Sequence, residues 1–331
     1  MSRQVVFLLP GQGSQFPGMG CELYGADAVF TETMDTFFEL QGEAGASLRK
    51  DWITADADDH FDDGGRAQPL LFALGYAVAR TLIARGIRPA ALLGHSVGEL
   101  AAAALAGVFD LPAAARFLAA RSASLDHAPP GGLLGVAGTV EEIRACLTPA
   151  WERAGLVVGA INAPRQTVLA GPEDELRAAE QALRAAGVAA RRARAAEPWH
   201  SPVMSTAAGH FEEAVARETP AAPRIALHSS AVGRPPTPQE AADPAFWARQ
   251  MARPVLFWPA LSALLDDGAH LLVEVGPGNV LGAAARSHPA VRSGRSEVLS
   301  LLPARKNPGT SWRSGVERLE QSLAPQPTTA A

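Results

Sequence analysis

The run Gly94-His95-Ser96-Val97-Gly98 constrains this chain more than any other feature, because of what stands on either side of it. Residues 90–93 form a compact apolar run with the length of a buried strand, and residues 97–105 read as a helix. A serine flanked by glycines at such a corner sits at the tip of a sharp turn. The backbone N–H of Val97, at the helix start, then points toward any negative charge that develops near the Ser96 hydroxyl. The five-residue pattern also recurs by chance, so two readings stand, a nucleophile or a structural turn, and the strand-before, helix-after setting favours the nucleophile. His95 adjoins Ser96, but neighbours on a sharp turn point apart, so His95 reads as a wall residue rather than as a base.

The rest of the chain supports an α/β reading. Residues 4–9 are a second apolar run, closed by Pro10-Gly11, and residues 28–40 and 69–84 have helical character, the latter ending at Arg85-Gly86. Alternating strands and helices predict a parallel sheet, here in a large α/β-hydrolase-like domain. From Gly131 the order changes: strands at 133–137, 156–161, 167–170 and 188–195, with helices at 140–147 and 173–186. That β-α-β-β-α-β order predicts an inserted ferredoxin-like subdomain, hinged at Pro129-Pro130-Gly131-Gly132 and Pro198. The expected division is residues 1–130 and 199–304 for the large domain and 131–198 for the insert. Residues 305–331 then form a C-terminal helix (311–323) and a disordered Pro/Thr/Ala tail. Ser201-Pro202 opens a helix to about residue 216, and residues 271–275 before Gly276-Pro277-Gly278 read as one more buried strand.

Composition removes several functions. In 331 residues with 47% hydrophobic and 19% charged side chains and a net charge of -5, little basic surface remains for nucleic acid. Cys21 and Cys146 provide neither a disulfide framework nor a thiolate metal site, and the acidic run Asp56, Asp58, Asp59, Asp62, Asp63 lacks the glycine and terminal glutamate of a calcium loop, so no metal is expected. Gly11-Gln12-Gly13 begins like a dinucleotide loop, but Phe16 stands where a glycine is needed. No secretory signal is evident, and the apolar stretches 70–87 and 90–111 are broken by Arg80 and Arg85 and by His95, Glu99 and Asp110. A cytoplasmic protein without a membrane span is expected.

A serine needs a base, and spacing alone does not choose among His60, His127, His200, His210, His228, His270 and His288. His200 has the best local case, in a loop leaving the insert just before a helix start. Arg191, Arg192 and Arg194 crowd one expected edge strand, either as a solvated edge or as a surface for an acidic partner.

With these residues in hand, the chain resembles the malonyl-CoA:acyl-carrier-protein transacylase family, including the acyltransferases of polyketide synthases. The likeness covers about residues 3 to 303. It rests on Pro10-Gly11-Gln12-Gly13-Ser14-Gln15, Ala67-Gln68-Pro69 opening a helix, Gly94-His95-Ser96-Val97-Gly98-Glu99, Arg121, Asn162, His200-Ser201, Gln250 ahead of Arg253-Pro254-Val255, and Glu274-Val275-Gly276-Pro277-Gly278. The resemblance implies Ser96 as nucleophile, His200 as base, the Gln250 backbone carbonyl orienting the imidazole, and the N–H groups of Gln12 and Val97 as oxyanion hole. It implies Arg121 as the grip on a substrate carboxylate, with Gln68 and Asn162 along the cleft and His95 and Glu99 in support. It further implies a ping-pong transfer in fatty-acid or polyketide biosynthesis. The acyl group would pass from an acyl-CoA, through acyl-Ser96, to the phosphopantetheine thiol of an acyl carrier protein, with no permanently bound cofactor. The carrier would meet Arg191, Arg192 and Arg194.

Two positions depart from the family's common forms. The stretch before the base is Glu197-Pro198-Trp199-His200, with a tryptophan where phenylalanine or serine is usual, and Leu125 replaces a common methionine. If its indole faces the pocket, Trp199 narrows or reshapes the acyl site. The alternatives are an enzyme that edits acyl carriers or moves a non-malonyl group between them, an α/β-hydrolase using a late histidine such as His270 or His288, and a noncatalytic carrier-binding protein.

Overall fold

The computed structural model describes residues 3–54, 62–303 and 312–324. Asp56, Asp58, Asp59, His60 and nearly all of the expected C-terminal tail lie outside the described residues. Strand β1 (Gln4–Leu9) is buried along almost its whole length, as a parallel strand covered on both faces must be. It lies at the centre of a five-stranded parallel sheet of order β7-β2-β1-β8-β9, with β2 (Ala91–Gly94), β7 (Ala226–His228), β8 (His270–Pro277) and β9 (Glu297–Leu302). The register pairs Leu9 with Gly94, so the Pro10-Gly11-Gln12 loop and the Ser96 turn leave the sheet side by side. Leu93 pairs with His228, which sends the turn after β7 out at the same edge.

Helices cover both faces. One face carries α1 (Ala28–Leu40), α2 (Gly42–Thr54), α3 (Gly64–Ala84), α4 (Val97–Ala106) and α5 (Leu111–Ala123), packed through Phe7, Phe30, Phe37, Phe72 and Phe117. Asp27 and Asp110 cap α1 and α5 by accepting from the N–H groups of Phe30 and Ala113. The sequence predicts that Pro69 opens its helix, whereas α3 begins at Gly64 with Pro69 inside. A proline there leaves the carbonyl of residue 65 without its helical donor. The Ser122 hydroxyl, on α5, approaches that Gly65 carbonyl at 3.4 Å, a long contact that compensates it in part. Helix α3 has the length and mean hydropathy, 1.3, to cross a membrane, contrary to the expectation that no stretch would approach this, but 78% of its apolar window is buried within the protein.

The second sheet is built from β3 (Gly131–Val136), β4 (Val157–Ala163), β5 (Gln166–Pro172) and β6 (Ala190–Arg192), in the antiparallel order β4-β5-β3-β6. Short helices α6 (Val140–Arg144) and α7 (Pro149–Arg153) join β3 to β4, and α8 (Glu173–Ala185) joins β5 to β6. Ile143, Leu176, Ala179 and Leu183 press onto the inner residues Leu134 and Leu169. Strand β6 is shorter than the predicted 188–195, because only its centre pairs with β3 at the sheet edge. The two sheets are tied at β4, where Val255 N–H donates to the Gly159 carbonyl and Ile161 N–H to the Val255 carbonyl.

The chain then runs through α9 (Ser205–Val215), α10 (Pro238–Ala241), α11 (Pro244–Ala248), α12 (Phe257–Asp266), α13 (Val280–Ala285) and α14 (Pro289–Arg292) to α15 (Trp312–Leu323). Helices α12 and α13 cover the second face of the large sheet through Phe257, Leu261, Leu265 and Leu281.

Both glycines of the turn are required by close approach. A Cβ on Gly94 would lie 2.3 Å from the Glu99 nitrogen, and one on Gly98 would lie 2.1 Å from the Leu9 carbonyl oxygen. Gly98→Ala should therefore push α4 away from β1, costing about 1–3 kcal/mol or more by overpacking. Thermal unfolding should show a lowered Tm, and an unchanged Tm would mean that the elbow is not pinned against β1.

Candidate active site

Ser96 has φ 53° and His200 has φ 66°, and among the described residues no other non-glycine residue has positive φ. At Ser96 the strain follows from ending β2 and starting α4 within two residues, which lifts the hydroxyl clear of the sheet. The Ser96 Oγ lies 2.8 Å from His200 Nε2. On its other side, His200 Nδ1 is 3.0 Å from the Gln250 carbonyl and 3.0 Å from the Arg253 carbonyl. Carbonyls only accept, so Nδ1 carries the proton, and Nε2 is left to accept from the serine hydroxyl. The resemblance implies only the first of these carbonyls. That of Arg253 is a main-chain atom with no side-chain signature, and sequence reasoning misses it. The His200 N–H also donates to the Met251 carbonyl at 2.8 Å, which helps hold the residue in its left-handed conformation.

Burial, with the positive charge of Arg121 and the nearby His95 adding to it, holds His200 down at about 3. The imidazole is therefore neutral at physiological pH, the state in which it can take a proton from serine.

Gln12 follows β1 directly beside the Ser96 turn. Its side chain belongs to a relay of amides whose orientation is forced from one end. Arg121 Nε can only donate, and it does so to Gln68 Oε1 at 2.6 Å. Gln68 Nε2 must then face Gln12 Oε1, at 2.9 Å, and Gln12 Nε2 donates to the Asp62 carbonyl at 2.8 Å. Val97 is the first residue of α4, so its N–H is one of those at a helix start that have no acceptor within the helix. The loop carrying Gln12 leaves the sheet beside the turn that carries Ser96 and Val97.

A cavity of about 450 Å³ lies between this constellation and the small sheet. Ser96, His200, Gln12, Gln68, Asn162 and Trp199 all line it. Asn162 Oδ1 sits 2.8 Å from His95 Nε2, joining β4 to the serine turn, so His95 is a wall residue held by the insert. Arg121 is placed differently from the rest. It is only 3% exposed, it is absent from the cavity lining, and its guanidinium carbon lies 4.6 Å from the centroid of the Trp199 ring. Burial pulls Arg121 down to about 9. Trp199 therefore shows the cavity part of its surface while its ring packs on the guanidinium, and its indole N–H donates to Glu197 Oε2 at 3.1 Å.

The other candidates separate from the site. His270 begins β8, at the opposite end of the sheet from Ser96. His288 caps α14 by accepting from the Ala290 N–H, while His127 and His210 stack on each other with ring centroids 3.8 Å apart. Arg191 and Arg192 reach the cavity. Arg192 also pairs with Glu173, and the largely exposed Arg194 pairs with Asp62 at 3.1 Å.

Residues 6–316 match the acyl transferase domain family. The chain belongs to this family. One of the phenolphthiocerol/phthiocerol polyketide synthase proteins of Mycobacterium tuberculosis is 37% identical over 289 residues, covering 87% of this chain but 19% of that protein. The chain thus spans about a fifth of the length of this curated relative. The acyltransferase domain from the second module of the salinomycin polyketide synthase superimposes with a TM-score of 0.87 at 33% identity, over 97% of this chain and 73% of that one. The malonyl CoA-acyl carrier protein transacylase from Clostridium perfringens has the same fold, with a TM-score of 0.81 at 20% identity over 96% of each chain. The chain thus carries an acyl transferase domain of the kind found in polyketide synthases.

A lowered folded-state pKa keeps His200 neutral as pH falls. Labelling of Ser96 by a fluorophosphonate should accordingly stay level down to about pH 5, well under the ~6.5 of a free imidazole. An acid limb centred near that free value would contradict the buried, cation-flanked base.

Proposed function

We propose that this acyltransferase moves a malonyl-type group from CoA to the phosphopantetheine thiol of an acyl carrier protein, by a ping-pong route through acyl-Ser96, in polyketide or fatty-acid biosynthesis. The observation that carries the acyl assignment is Arg121, a guanidinium buried beside the base with an amide and, among the described residues, no carboxylate as its hydrogen-bonded partner. Burying a cation without an anion is costly, and a substrate carboxylate would relieve that cost with paired, charge-assisted bonds.

In the first half-reaction the Ser96 hydroxyl attacks the thioester carbonyl while His200 Nε2 takes its proton. The oxyanion is held by the N–H groups of Gln12 and Val97, where loss of one donor costs about 3–4 kcal/mol of barrier. The C–S bond breaks, the proton passes from His200 to the departing CoA sulfur, and the ester on Ser96 remains. In the second half, His200 takes the proton of the carrier's thiol, the sulfur attacks the ester, and the proton returns to Ser96. A carboxylate seated on Arg121 would also cancel part of the positive field on His200 and make it a better base.

The same reading takes the large unit as α/β-hydrolase-like, supported by the serine elbow on a parallel sheet, and the small one as a ferredoxin-like insert over about residues 131–198, supported by its strand order. It places the chain in the cytoplasm and needs no permanently bound cofactor. The carrier's acidic surface would meet the edge bearing Arg191, Arg192 and Arg194.

One observation favours a second reading. Trp199 and Gln68 stand between Arg121 and the cavity, an arrangement suited to an acyl group without a carboxylate, transferred between carriers or removed from them.

Intact-mass measurement after incubation with malonyl-CoA, methylmalonyl-CoA, acetyl-CoA and longer acyl-CoAs decides between them. Covalent loading should occur, Ser96→Ala should abolish it, and Arg121→Ala should depress malonyl loading by about 100-fold or more while sparing acetyl loading. Equal loss for both, or preferred loading of an uncharged acyl group by the unaltered protein, would favour the second reading.

A further inference from the structure

Glu99 stands three residues after Ser96 on the first turn of α4 and is 1% exposed. A glutamate at that position of a helix commonly turns back to cap its own N-terminus. This one points into the protein. Its Oε1 accepts from the Ser229 hydroxyl and, at 3.2 Å, from the side-chain amide of Gln250. Its Oε2 accepts from the Ser230 N–H at 2.9 Å, the Ser230 hydroxyl at 2.6 Å and the Ala231 N–H at 3.2 Å. One carboxylate therefore joins three segments: the helix that begins at the serine, the turn after β7, and the 3-10 turn Arg249–Ala252.

Gln250 is the residue whose backbone carbonyl receives the His200 Nδ1 proton. Its side chain and its carbonyl thus face the two halves of the dyad, one held by the serine's helix and the other holding the base. We propose that Glu99 is a positioning residue for His200: by gripping the Gln250 side chain it fixes the carbonyl that locks the imidazole tautomer, and so keeps Nε2 aimed at Ser96. This rests on the reading of Ser96 and His200 as nucleophile and base.

The arrangement fits what each group needs. An ionised carboxylate is an acceptor only, and five donors converge on this one. The groups facing it from α4, from the turn after β7 and from residues 249–252 are Ser229, Ser230, Ala231 and Gln250, none of them ionisable. Burial therefore outweighs the hydrogen bonds and pushes Glu99 up to about 7. His200, for its part, holds a left-handed backbone that local preference opposes, so its orientation depends on such external anchors.

The test uses the full chain and a fluorophosphonate probe, whose labelling rate reads Ser96 activation without depending on acyl selectivity. Glu99→Ala and Gln250→Met, which remove the acceptor or the donor of this bond at every pH, should each slow labelling roughly 10- to 100-fold, a part of the ~10²–10⁴ that a positioned general base supplies. The concentration of probe giving half-saturation should be unchanged. The acid limb should move to lower pH, because a carbonyl bonded to Nδ1–H favours the imidazolium and a displaced one no longer does. Ser230→Ala removes one bond, from the Ser230 hydroxyl to the same carboxylate, without touching Gln250, so it should lower the Tm while leaving rate and limb in place. Wild-type rate and limb in Gln250→Met, or equal slowing in Ser230→Ala and Gln250→Met, would overturn the proposal. Gln250→Met decides alone if Glu99→Ala does not fold. Labelling that survives His200→Ala would refute the dyad itself, an outcome distinct from failure of the positioning role.

Discussion

The 2.8 Å hydrogen bond between Ser96 and His200 joins two residues that both hold positive φ, 53° and 66°, conformations that side chains with a Cβ disfavour. Each costs of order 1–3 kcal/mol, so each persists only where its surroundings over-determine it. For Ser96 the surroundings are rigid secondary structure: β2 ends in register with β1, and α4 starts against the Leu9 carbonyl with only a glycine's thickness between them. For His200 they are hydrogen bonds to backbone atoms of residues 250, 251 and 253. The dyad is thus held on one side by packing and on the other by polar contacts. The second kind of support is the more easily disturbed.

Arg121, although absent from the cavity lining, orients two of the amides near it. Because the Arg121 guanidinium can only donate, it sets the orientation of Gln68 and through it that of Gln12, so the side chain on the loop beside the serine is aligned from α5. The same charge disfavours the imidazolium form of His200. Arg121 therefore influences both the loop and the base while remaining behind Gln68 and Trp199.

What the sequence discloses follows the range of the interactions. The Ser96 elbow is local, and strand, glycine and helix can be read within a dozen residues. The alternation that predicts a parallel sheet, and the β-α-β-β-α-β order after Gly131, are likewise periodic signals, although β7, at three residues, and β9 are too short or too weakly bounded to be read. The partner of Ser96 lies 104 residues away, and no spacing rule selects His200 from the other histidines, so it enters through resemblance. The Arg253 carbonyl and the burial of Arg121 against Trp199 are consequences of packing. The sequence leaves open whether the Trp199 indole faces the pocket, and in the structure the residue lines the cavity while its ring covers a cation contributed by a different helix. Pro69 misleads as well: its helix starts five residues before it, at Gly64, and a hydroxyl from α5 approaches the carbonyl that the proline leaves unpaired.

In the proposed roles of Ser96 and His200, the base has carbonyls, not a carboxylate, behind it. A carboxylate would stabilise the imidazolium by charge, whereas two carbonyls do so only by their dipoles, and burial with a neighbouring cation works against it. Such a histidine is a weak base and, once protonated, a strong acid. That balance suits a thioester better than an amide. The thioester carbonyl is more electrophilic and needs less activation of the attacking hydroxyl, and its sulfur leaves with little demand for protonation. The incoming thiol, with an intrinsic pKa near ~8.5, is far easier to deprotonate than water. Under the proposed function, a weak base would thus discriminate in favour of transfer between thiols and against hydrolysis by the acidity of the nucleophile it is asked to activate.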